Sequence, residues 1–416
     1  MTSPIYEGPL LLALDVGTDK VASLAAVPHP TRGLQVVAAA LNRSRGIRKG
    51  AVVNMPEVTR VIRRVVDRTE RSAQQPADAV YVTFSGSPVR CHRGHAAVGV
   101  SRGVVDENDI RRAQDSARAI TISHNEEVLH AIQRGFRLDD KEVPWPLGMY
   151  GYRLEAEMLV VTAEKTALMN LRRALENAGV DVGVENFVLG GLAAGEAVLS
   201  QAERDMGVVV VDIGAGTTDV AVYAKGELWH AAVLPWGGEH ITRDLAYGLN
   251  VPMEIAEQIK VEHGRAVRAQ DAEEEEPIRI RPFGADTDLK VRPSDLALII
   301  GPRVEQILRL VAQQVDASQV PGLLAAGVVL TGGTAHLPGM RTLAARILRL
   351  PARIGQPEVL PGLPRRLRDP KFAATVGTLK LAHLYYSSST PESNRWWAPR
   401  ESRWSRLKNF LRGLIP

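Results

Sequence analysis

Residues 208–219 read VVVVDIGAGTTD, and residues 10–20 read LLLALDVGTDK near the start of the chain. In both stretches a run of aliphatic residues, typical of a strand buried on both faces, ends at an aspartate and a turn of glycine and threonine. Glycines let backbone N–H groups turn inward at positive φ, threonine hydroxyls add donors, and a strand-end carboxylate can hold a cation through water. Either stretch alone is weak evidence because many strands end in such a turn. The duplication predicts two facing phosphate-binding loops.

A third stretch, residues 327–340, reads GVVLTGGTAHLPGM and leads another apolar strand into a pair of glycines. Two adjacent glycines let a flat ring lie against the backbone, which predicts where a purine base would rest. The order of the three elements, two aspartate loops and then a Gly-Gly turn, resembles the actin-like ATPase superfamily of actin, heat-shock chaperone ATPases and sugar kinases. The resemblance implies an α/β fold in which two duplicated halves surround a nucleotide cleft.

Composition favours a protein of several domains in a reducing compartment. The chain has 416 residues, 45% of them hydrophobic, which is enough for two or more separate cores. Its single cysteine, Cys91, has no disulfide partner within the chain. The first ten residues lack the pattern of a signal peptide, and no apolar run approaches the ~18 residues of a membrane span. We therefore expect a cytoplasmic location and no nucleic acid among the partners.

Basic charge is concentrated at the C-terminus. Residues 391–416 carry six basic and two acidic side chains, so their net charge equals the +4 of the whole chain. Within residues 401–416, apolar side chains recur at helical spacing and basic side chains lie beside them. The apolar stripe consists of Trp404, Leu407, Phe410, Leu411 and Leu414, and the basic residues are Arg403, Arg406, Lys408 and Arg412.

This pattern predicts a short amphipathic helix that lies in the headgroup layer of an anionic membrane, where each cation contributes about 1 kcal/mol. Residues 387–400 are rich in serine and proline, which predicts a flexible linker between this helix and the last domain. Two other interpretations stay open here. The helix could pack on the protein's own core, or it could bind in the groove of a partner protein.

Further stretches narrow the resemblance to the FtsA family, bacterial division proteins that are similar to actin and join FtsZ filaments to the membrane. The stretches are VVVVDIGAGTTDVAVY, LPWGGEHITRDLAYGL with AEQIKVEHG after it, VLTGGTAHLPGM, DPKFAATVGTLKLA and the tethered C-terminal helix. The resemblance runs from Leu10 to Pro416. It implies ATP and Mg²⁺ in the cleft, head-to-tail filaments and docking of the FtsZ C-terminal peptide. It also implies contacts with other division proteins at the cytoplasmic face of the membrane, where the cell divides.

The resemblance implies roles for individual residues. Asp15 and Asp212 would hold Mg²⁺ through water, and Arg303 would belong to the pocket for the FtsZ peptide. The residues implied for the nucleotide are Gly17, Thr18, Asp19 and Lys20 in the first loop, Gly214, Ala215, Gly216, Thr217 and Thr218 in the second, and Gly238, Glu257, Lys260, Gly332, Gly333 and Thr334 around the nucleoside.

Two residues depart from the usual pattern of the family. Asp19 stands where a small neutral polar residue is common, and its carboxylate would repel phosphate unless it points away or holds the metal. Ala215 replaces a common loop glycine. The acid that positions the attacking water in relatives has no counterpart at Leu189 or Gly190, so Glu196 is the remaining candidate catalytic residue. We therefore expect at most a slow ATPase.

The expected domain order places one insert in each half. Helical spacing predicts helices at 52–71 and 110–120, and small-residue helices at 190–200 and 373–384 would form the hinge between the halves. The expected segments are 8–83 (first half), 84–163 (inserted small α+β domain), 164–200 (first half continued and connecting helix), 201–235 (second half), 236–314 (second insert, with the peptide site), 315–386 (second half continued), 387–400 (linker) and 401–416 (membrane helix).

Other functions within the same superfamily stay open at this stage. A pilus-assembly protein similar to PilM would share the fold and the small inserted domain but would normally lack the terminal helix. A small-molecule kinase would need a substrate-binding aspartate in the cleft and no membrane tail. A chaperone ATPase would carry a substrate-binding domain after the ATPase, where this chain has only a short tail.

Overall fold

The computed structural model describes residues 8–29, 33–86, 89–268 and 275–388. The expected membrane helix, and the linker beyond Ser388, lie outside these residues. The strands are β1 (Leu11–Val16), β2 (Lys20–His29), β3 (Gly33–Arg43), β4 (Ile47–Arg48), β5 (Ala51–Val52), β6 (Ala79–Phe84), β7 (Val89–Gly99), β8 (Glu126–Leu138), β9 (Lys141–Val143), β10 (Arg153–Glu164), β11 (Phe187–Leu189), β12 (Val208–Ile213), β13 (Thr218–Ala224), β14 (Glu227–Leu234), β15 (Ile278–Ile280), β16 (Leu289–Val291), β17 (Gly327–Thr331) and β18 (Ala352–Ile354).

The helices are α1 (Met55–Ala73), α2 (Glu107–Arg118), α3 (Lys165–Ala178), α4 (Gly190–Val198), α5 (Gln201–Met206), α6 (Gly238–Leu249), α7 (Met253–His263), α8 (Pro293–Ala317), α9 (Met340–Leu348) and α10 (Ala373–Ser388). Short 3₁₀ turns cover Val184–Asn186, Gly333–His336, Arg365–Leu367 and Pro370–Phe372. Among the residues described, a search for helices of the length and hydrophobicity needed to span a bilayer found none.

Two five-stranded sheets repeat one arrangement. The first has the order β11-β6-β1-β2-β3, and the second, written the same way round, has the order β18-β17-β12-β13-β14. The central strand of each sheet pairs antiparallel with the next strand of the chain and parallel with a later one, β1 with β2 and β6, and β12 with β13 and β17. The duplication predicted from the two aspartate stretches is therefore present in the topology.

The two central strands are buried along almost their whole length, as their continuous aliphatic runs predict. In the parallel pairing Asp15 stands opposite Thr83 of β6, and Asp212 stands opposite Thr331 of β17. Both aspartates thus occupy the carboxyl end of a central strand. Ligands of open α/β sheets bind at this edge, so the fold positions a site there.

Helices α4 and α10 cross with their backbones in contact. A Cβ atom added at Gly377 of α10 would overlap the carbonyl oxygen of Ala193 in α4 and lie 3.0 Å from its Cα. Lys380 of α10 also donates to the carbonyl oxygen of Glu196 in α4 at 2.9 Å. The small residues that marked these two helices in the sequence therefore permit a very close crossing, and pivoting about it stays a prediction.

Helix boundaries differ from the sequence expectation where caps decide them. Helix α1 was expected from residue 52 but begins at Met55, because the side chain of Asn54 accepts the backbone N–H of Glu57 at 3.2 Å. Helix α2 was expected from residue 110 but begins at Glu107. There Asp106 and Asp109 form a reciprocal capping box, with the Asp109 N–H donating to Asp106 at 2.8 Å.

Residues 93–121 and 131–160 form a compact unit of their own. It contains helix α2 and most of the sheet β7-β10-β8-β9, and its core includes Ile110, Phe136 and Leu154. Residues 122–130, which lie inside the segment 84–163 expected as the inserted domain, belong instead to the larger unit that holds the two five-stranded sheets.

Candidate functional site

The carboxyl ends of the two central strands open onto one cavity of about 630 Å³. A cavity of several hundred Å³ is the usual size of a small-molecule site. Every residue that the sequence analysis assigned to nucleotide or magnesium lines this cavity, except Thr218. The walls thus combine both aspartate loops, the Gly-Gly turn after β17 and the cavity-facing residues of α7.

The two candidate phosphate loops fold into the same turn. In the first loop the backbone N–H of Gly17 donates to the carbonyl oxygen of Lys20 at 2.9 Å. In the second loop the N–H of Gly214 donates to the carbonyl oxygen of Thr217, also at 2.9 Å. Each turn begins two residues after the strand-end aspartate, so the repeat in sequence is a repeat in geometry.

The loop glycines serve a purpose different from the one expected. Gly17, Gly214 and Gly216 do not adopt positive φ, so the expectation of inward-turning N–H groups at positive φ is wrong for them. The absence of a side chain at these glycines instead leaves room for neighbouring backbone atoms. A Cβ at Gly216 would lie 2.9 Å from the Cα of Lys49, because the second loop touches the β4–β5 turn of the first half. Ala215 also avoids positive φ, which explains why a side chain is accepted there.

Lys20 is the cation of the first loop. Its Nζ lies 3.0 Å from Oδ2 of Asp15, and the hydroxyl of Thr375 donates to the same oxygen at 3.0 Å. Burial alone would lower the pKa of Lys20, but the nearby Asp15 carboxylate outweighs it and the pKa is raised. Lys20 therefore stays charged inside the cavity. Asp19, the unusual acid of this loop, is exposed and lines the cavity rim.

Two further carboxyl groups of the cavity, on the partly buried Asp212 and the buried Asp219, are close enough to repel one another. Burial, with the charge of Asp15, raises the pKa of Asp212 to about 7, although Lys20 acts in the opposite direction. Burial, with the charge of Asp212, also raises the pKa of Asp219 well above its ordinary value. The cavity thus holds excess negative potential that a cation would relieve.

The arrangement fits a divalent cation held through water or phosphate oxygens. Asp219 lines the cavity, and its buried Oδ1 atom has no hydrogen-bond partner among the residues that the structure describes. No group of three or more His, Cys, Asp or Glu side chains within the described ranges is placed to hold a metal ion directly. Asp15, Asp212 and Asp219 would therefore contribute charge and contacts to bound water rather than a complete set of ligands.

Sequence reasoning missed Asp219, although a signal was present. It is the last residue of the quoted stretch 208–219 and stands directly opposite Asp212 in the antiparallel pairing of β12 with β13. A tight turn between the two strands brings the end of one next to the start of the other. The spacing of the two aspartates around the turn therefore predicts that they are neighbours.

The nucleoside side of the cavity contains an internally paired lysine. Nζ of Lys260 lies 2.6 Å from Oε2 of Glu257 and donates to the carbonyl oxygen of Gly238 at 3.2 Å and to Thr242 at 2.8 Å. The pair is thus both an ordinary contact within α7 and part of the cavity wall. The hydroxyl of Thr334 donates to the Gly214 carbonyl at 3.1 Å and joins the Gly-Gly turn to the second loop.

Gly332 has a backbone conformation that favours glycine. Its φ is 85°, and a Cβ there would overlap Oδ1 of Asp212 and lie 2.7 Å from the carbonyl carbon of Ile213. Its neighbour Gly333 lines the cavity, and a Cβ there would meet the Cβ of Lys371 at an ordinary contact distance of 3.8 Å, so the surface of the turn leaves space. A flat ring resting on this turn, as the sequence predicted, is compatible with that space.

Thr218, predicted for the nucleotide, and Glu196, predicted for catalysis, stand outside the cavity walls. The fully buried Thr218 donates its hydroxyl to the carbonyl oxygen of Trp236 at 2.7 Å, so it supports the second loop from behind. Glu196 is buried in α4, where its carboxylate lies 2.9 Å from Arg204 and 3.5 Å from Lys380. Glu196 is therefore paired with two cations and stands outside the cavity lining, which gives no support to the catalytic role expected of it.

Arg303 lies on α8, outside the cavity walls. Its guanidinium contacts Asp244 of α6 through two hydrogen bonds of 2.6 and 2.9 Å. The Asp244 carboxylate raises the pKa of this arginine further, so it remains charged. The structure thus provides a fixed, partly exposed cation on the second insert, and its assignment to a peptide pocket stays a prediction.

His130 makes the stability of the chain depend on pH. It lies partly buried in β8, and its Nε2 accepts the backbone N–H of Leu189 at 3.0 Å. Loss of contact with water lowers its pKa from 6.5 to about 4. Between pH 6.5 and about pH 4 this histidine therefore binds a proton in the unfolded chain but not in the folded chain. The free energy of unfolding falls as the pH drops below 6.5. From pH 7 to pH 4.5 this group should cost about 2 kcal/mol of unfolding free energy.

Urea unfolding at both pH values measures this loss. His130→Gln retains an acceptor for Leu189 but does not titrate. The decrease in its unfolding free energy from pH 7 to pH 4.5 should therefore be about 2 kcal/mol smaller than that of the unaltered protein. Equal losses in the variant and the unaltered protein would show that His130 does not carry the effect.

Comparison with known protein families gives two matches. Residues 209–377 match the family model described as "Cell division protein FtsA", and residues 86–162 match "SHS2 domain inserted in FTSA". Among curated proteins, FtsA of Pseudomonas aeruginosa is 34% identical over 376 residues, covering 90% of this chain and 89% of that protein. FtsA of Escherichia coli is 31% identical over 412 residues, covering 97% of each chain.

Solved structures show the fold. The PilM-PilN type IV pilus biogenesis complex superposes with a TM-score of 0.60 at 17% identity, covering 90% of this chain and 98% of that one. MreB5 of Spiroplasma citri bound to AMPPNP superposes with a TM-score of 0.56 at 14% identity, covering 92% of this chain and 98% of the MreB5 chain. The expected actin-like ATPase fold of two duplicated α/β halves with a small inserted domain is confirmed.

Proposed function

The chain belongs to the FtsA family of cell division proteins, and from that premise we propose that it binds ATP, assembles into filaments and tethers FtsZ to the cytoplasmic membrane. The observation that carries the proposal is the meeting of two identical turns, each following a strand-end aspartate, at one cavity. The pilus-assembly and kinase alternatives lose their support, because the curated relatives named above are 31–34% identical over at least nine-tenths of the chain.

ATP is the nucleotide proposed for the cavity. The two loops would hold the phosphates from opposite sides, with Lys20 as their fixed cation. The turn at Gly332 and Gly333 would carry the adenine, with Glu257 and Lys260 at the ribose. Structural relatives of the MreB5 type are bound to ADP and AMPPNP, which supports an adenine nucleotide here.

Mg²⁺ would accompany the nucleotide near Asp15, Asp212 and Asp219. It would supply positive charge between the carboxylates and the phosphates. The raised pKa values of Asp212 and Asp219 support this proposal, because a nearby cation would stabilise the ionised form of both carboxyl groups. Hydrolysis is proposed to be slow, because the catalytic acid expected at Glu196 stands outside the cavity.

The partner surface is proposed on the second insert. Arg303 presents a charged guanidinium that is about a quarter exposed, which suits the acidic groups of the FtsZ C-terminal peptide. Because Asp244 already holds this arginine in place, a peptide carboxylate would meet an oriented donor and lose little freedom in binding. Other division proteins would bind elsewhere on the chain.

The membrane is proposed to be contacted by residues 401–416. Support comes from their sequence, a stripe of apolar side chains beside basic ones after a serine- and proline-rich linker. One such helix binds lipid weakly and reversibly. A filament that presents many of them in a row would bind by avidity, so assembly would control membrane residence.

A flotation assay tests this function. Labelled FtsZ C-terminal peptide should move with anionic vesicles when the full chain and ATP are present, and it should stay in solution when residues 401–416 are deleted. The deletion should remove vesicle binding by the protein itself and leave ATP affinity unchanged, because the cavity residues are untouched.

Matched substitutions within the tail separate hydrophobic insertion from charge. Leu407→Glu with Leu411→Glu retains every basic residue but should abolish flotation, whereas Asn409→Ala should have no effect. Continued flotation of the truncated protein would reject the membrane role of the tail.

A further inference from the structure

Trp236 occupies the turn between β14 and α6, directly behind the second phosphate loop. Its carbonyl oxygen accepts the buried hydroxyl of Thr218 at 2.7 Å, which fixes the turn to the first residue of β13. The next residue, Gly237, has no room for a side chain, because a Cβ there would lie 2.6 Å from the carbonyl oxygen of Ala215 and 2.7 Å from that of Gly214.

The following N–H groups complete the attachment. Gly238 donates to the Gly214 carbonyl at 2.9 Å, and Glu239 donates to the Ala215 carbonyl at 2.8 Å. The loop and the turn are thus joined by three hydrogen bonds and by backbone contact without side chains between them. Close-packed groups of this kind do not deform independently, so a shift of the loop displaces the turn.

The indole ring of Trp236 touches cations from two separate parts of the chain. Lys49, at the tip of the β4–β5 hairpin, has its Nζ 6.0 Å from the ring centroid. Arg303 of α8 has its guanidinium carbon 5.2 Å from the ring centroid. Both distances lie within the range over which an ammonium or guanidinium is attracted to an aromatic face. His240 lies beside the same ring at 4.6 Å, which limits the ring's freedom.

Lys49 is itself connected to the first phosphate loop. The backbone N–H of Gly50 donates to the hydroxyl of Thr18 at 3.2 Å, so the hairpin tip is bound to that loop. The second loop also touches the tip, because a Cβ at Gly216 would lie 2.9 Å from the Cα of Lys49. Both phosphate loops are therefore linked to the indole ring, one through the hairpin cation and the other through the backbone of the turn.

We propose that Trp236 is a positioning residue that transmits the state of the phosphate loops to helix α8 through Arg303. The inference rests on the proposed function, in which both loops bind the phosphates of a nucleotide. Phosphates bound between the loops would fix the hairpin tip and the turn relative to each other. The ring would then hold the guanidinium of Arg303 in one place, and Asp244 would carry the same constraint to α6.

The coupling must be reciprocal, because a nucleotide that favours one position of α8 is itself favoured when α8 is held there. Nucleotide would therefore raise the affinity of an acidic peptide for Arg303 by some factor. The bound peptide would raise the affinity of the nucleotide by the same factor. Removal of the ring would uncouple the two sites without removing a group from either.

Hydrogen–deuterium exchange of the full chain, with and without magnesium and AMPPNP, tests the inference. In the unaltered protein we expect the nucleotide to slow exchange in segment 208–219 and, by about fivefold, in α8. In Trp236→Leu the slowing in segment 208–219 should remain and that in α8 should disappear. Trp236→Phe retains a ring for the two cations and should restore the response of α8.

Each outcome of this experiment is decisive. A normal response of α8 in Trp236→Leu, or no response of α8 in the unaltered protein, would overturn the coupling and leave the nucleotide proposal intact. No change in segment 208–219 of the unaltered protein would overturn the nucleotide proposal and the coupling with it. Lys49→Gln provides an independent variant, because it leaves Trp236 in place and should weaken the response of α8.

Discussion

Gly377→Ala is expected to lower the free energy of unfolding by about 3 kcal/mol or more. The added Cβ would overlap the carbonyl oxygen of Ala193, and a backbone atom cannot rotate away as a side chain can. Alanine would otherwise favour the helix by about 1 kcal/mol over glycine. The overlap is the larger effect because α4 and α10 must move apart to accommodate it.

Denaturant unfolding of the variant measures this loss. The control is Gly191→Ala in α4, where the new Cβ would meet the Cβ atoms of Ala221 and Asp219 at ordinary contact distances of 3.4 and 3.5 Å. This control should stay within about 1 kcal/mol of the unaltered protein. If Gly377→Ala were equally well tolerated, the close crossing of the two helices would be incorrect.

Asp212→Asn is expected to reduce the enhancement of ATP affinity by Mg²⁺ about 10–100-fold, as loss of an oriented carboxylate does at other metal sites. ATP affinity without Mg²⁺ should be unchanged or higher, because the substitution removes a negative charge facing the phosphates. The variant should also fold, since burial already raises the pKa of Asp212 to about 7 and asparagine has nearly the same shape without the charge.

Titrations of ATP with Mg²⁺ and with a chelator provide the measurement. Asp67→Asn on the exposed face of α1 is the matched control, because it makes the same change of charge away from the cavity and should have no effect. If Asp212→Asn weakened ATP equally in both conditions, Asp212 would act on the nucleotide directly rather than through the cation.

Local sequence was sufficient to predict which residues line the cavity. A buried strand, an aspartate and a small-residue turn are short-range features of the sequence. Asp15 and Asp212 stand where those features place them, each at the carboxyl end of the central strand of its own sheet. The order of these stretches resembles the actin-like ATPase superfamily, which implies two duplicated halves, and the structure contains two sheets of one topology. Both aspartate loops line the cavity because each lies at the same edge of its sheet.

Features that depend on contacts between distant residues were harder to predict. Glu196 pairs with Arg204 and Lys380, and no local pattern indicates that its helix directs it away from the cavity. Gly216 of the second loop is required by the approach of Lys49 from another part of the chain, not by its own φ. The ring contacts of Trp236 likewise join three segments that are far apart in sequence.

Calorimetric titration of ATP with Mg²⁺ into the full chain measures directly whether the cavity binds the nucleotide. We expect saturable binding of one ATP per chain, with affinity lost when Lys20 is replaced by alanine and retained when residues 401–416 are deleted. Heat of dilution alone, with no saturation at millimolar ATP, would contradict it.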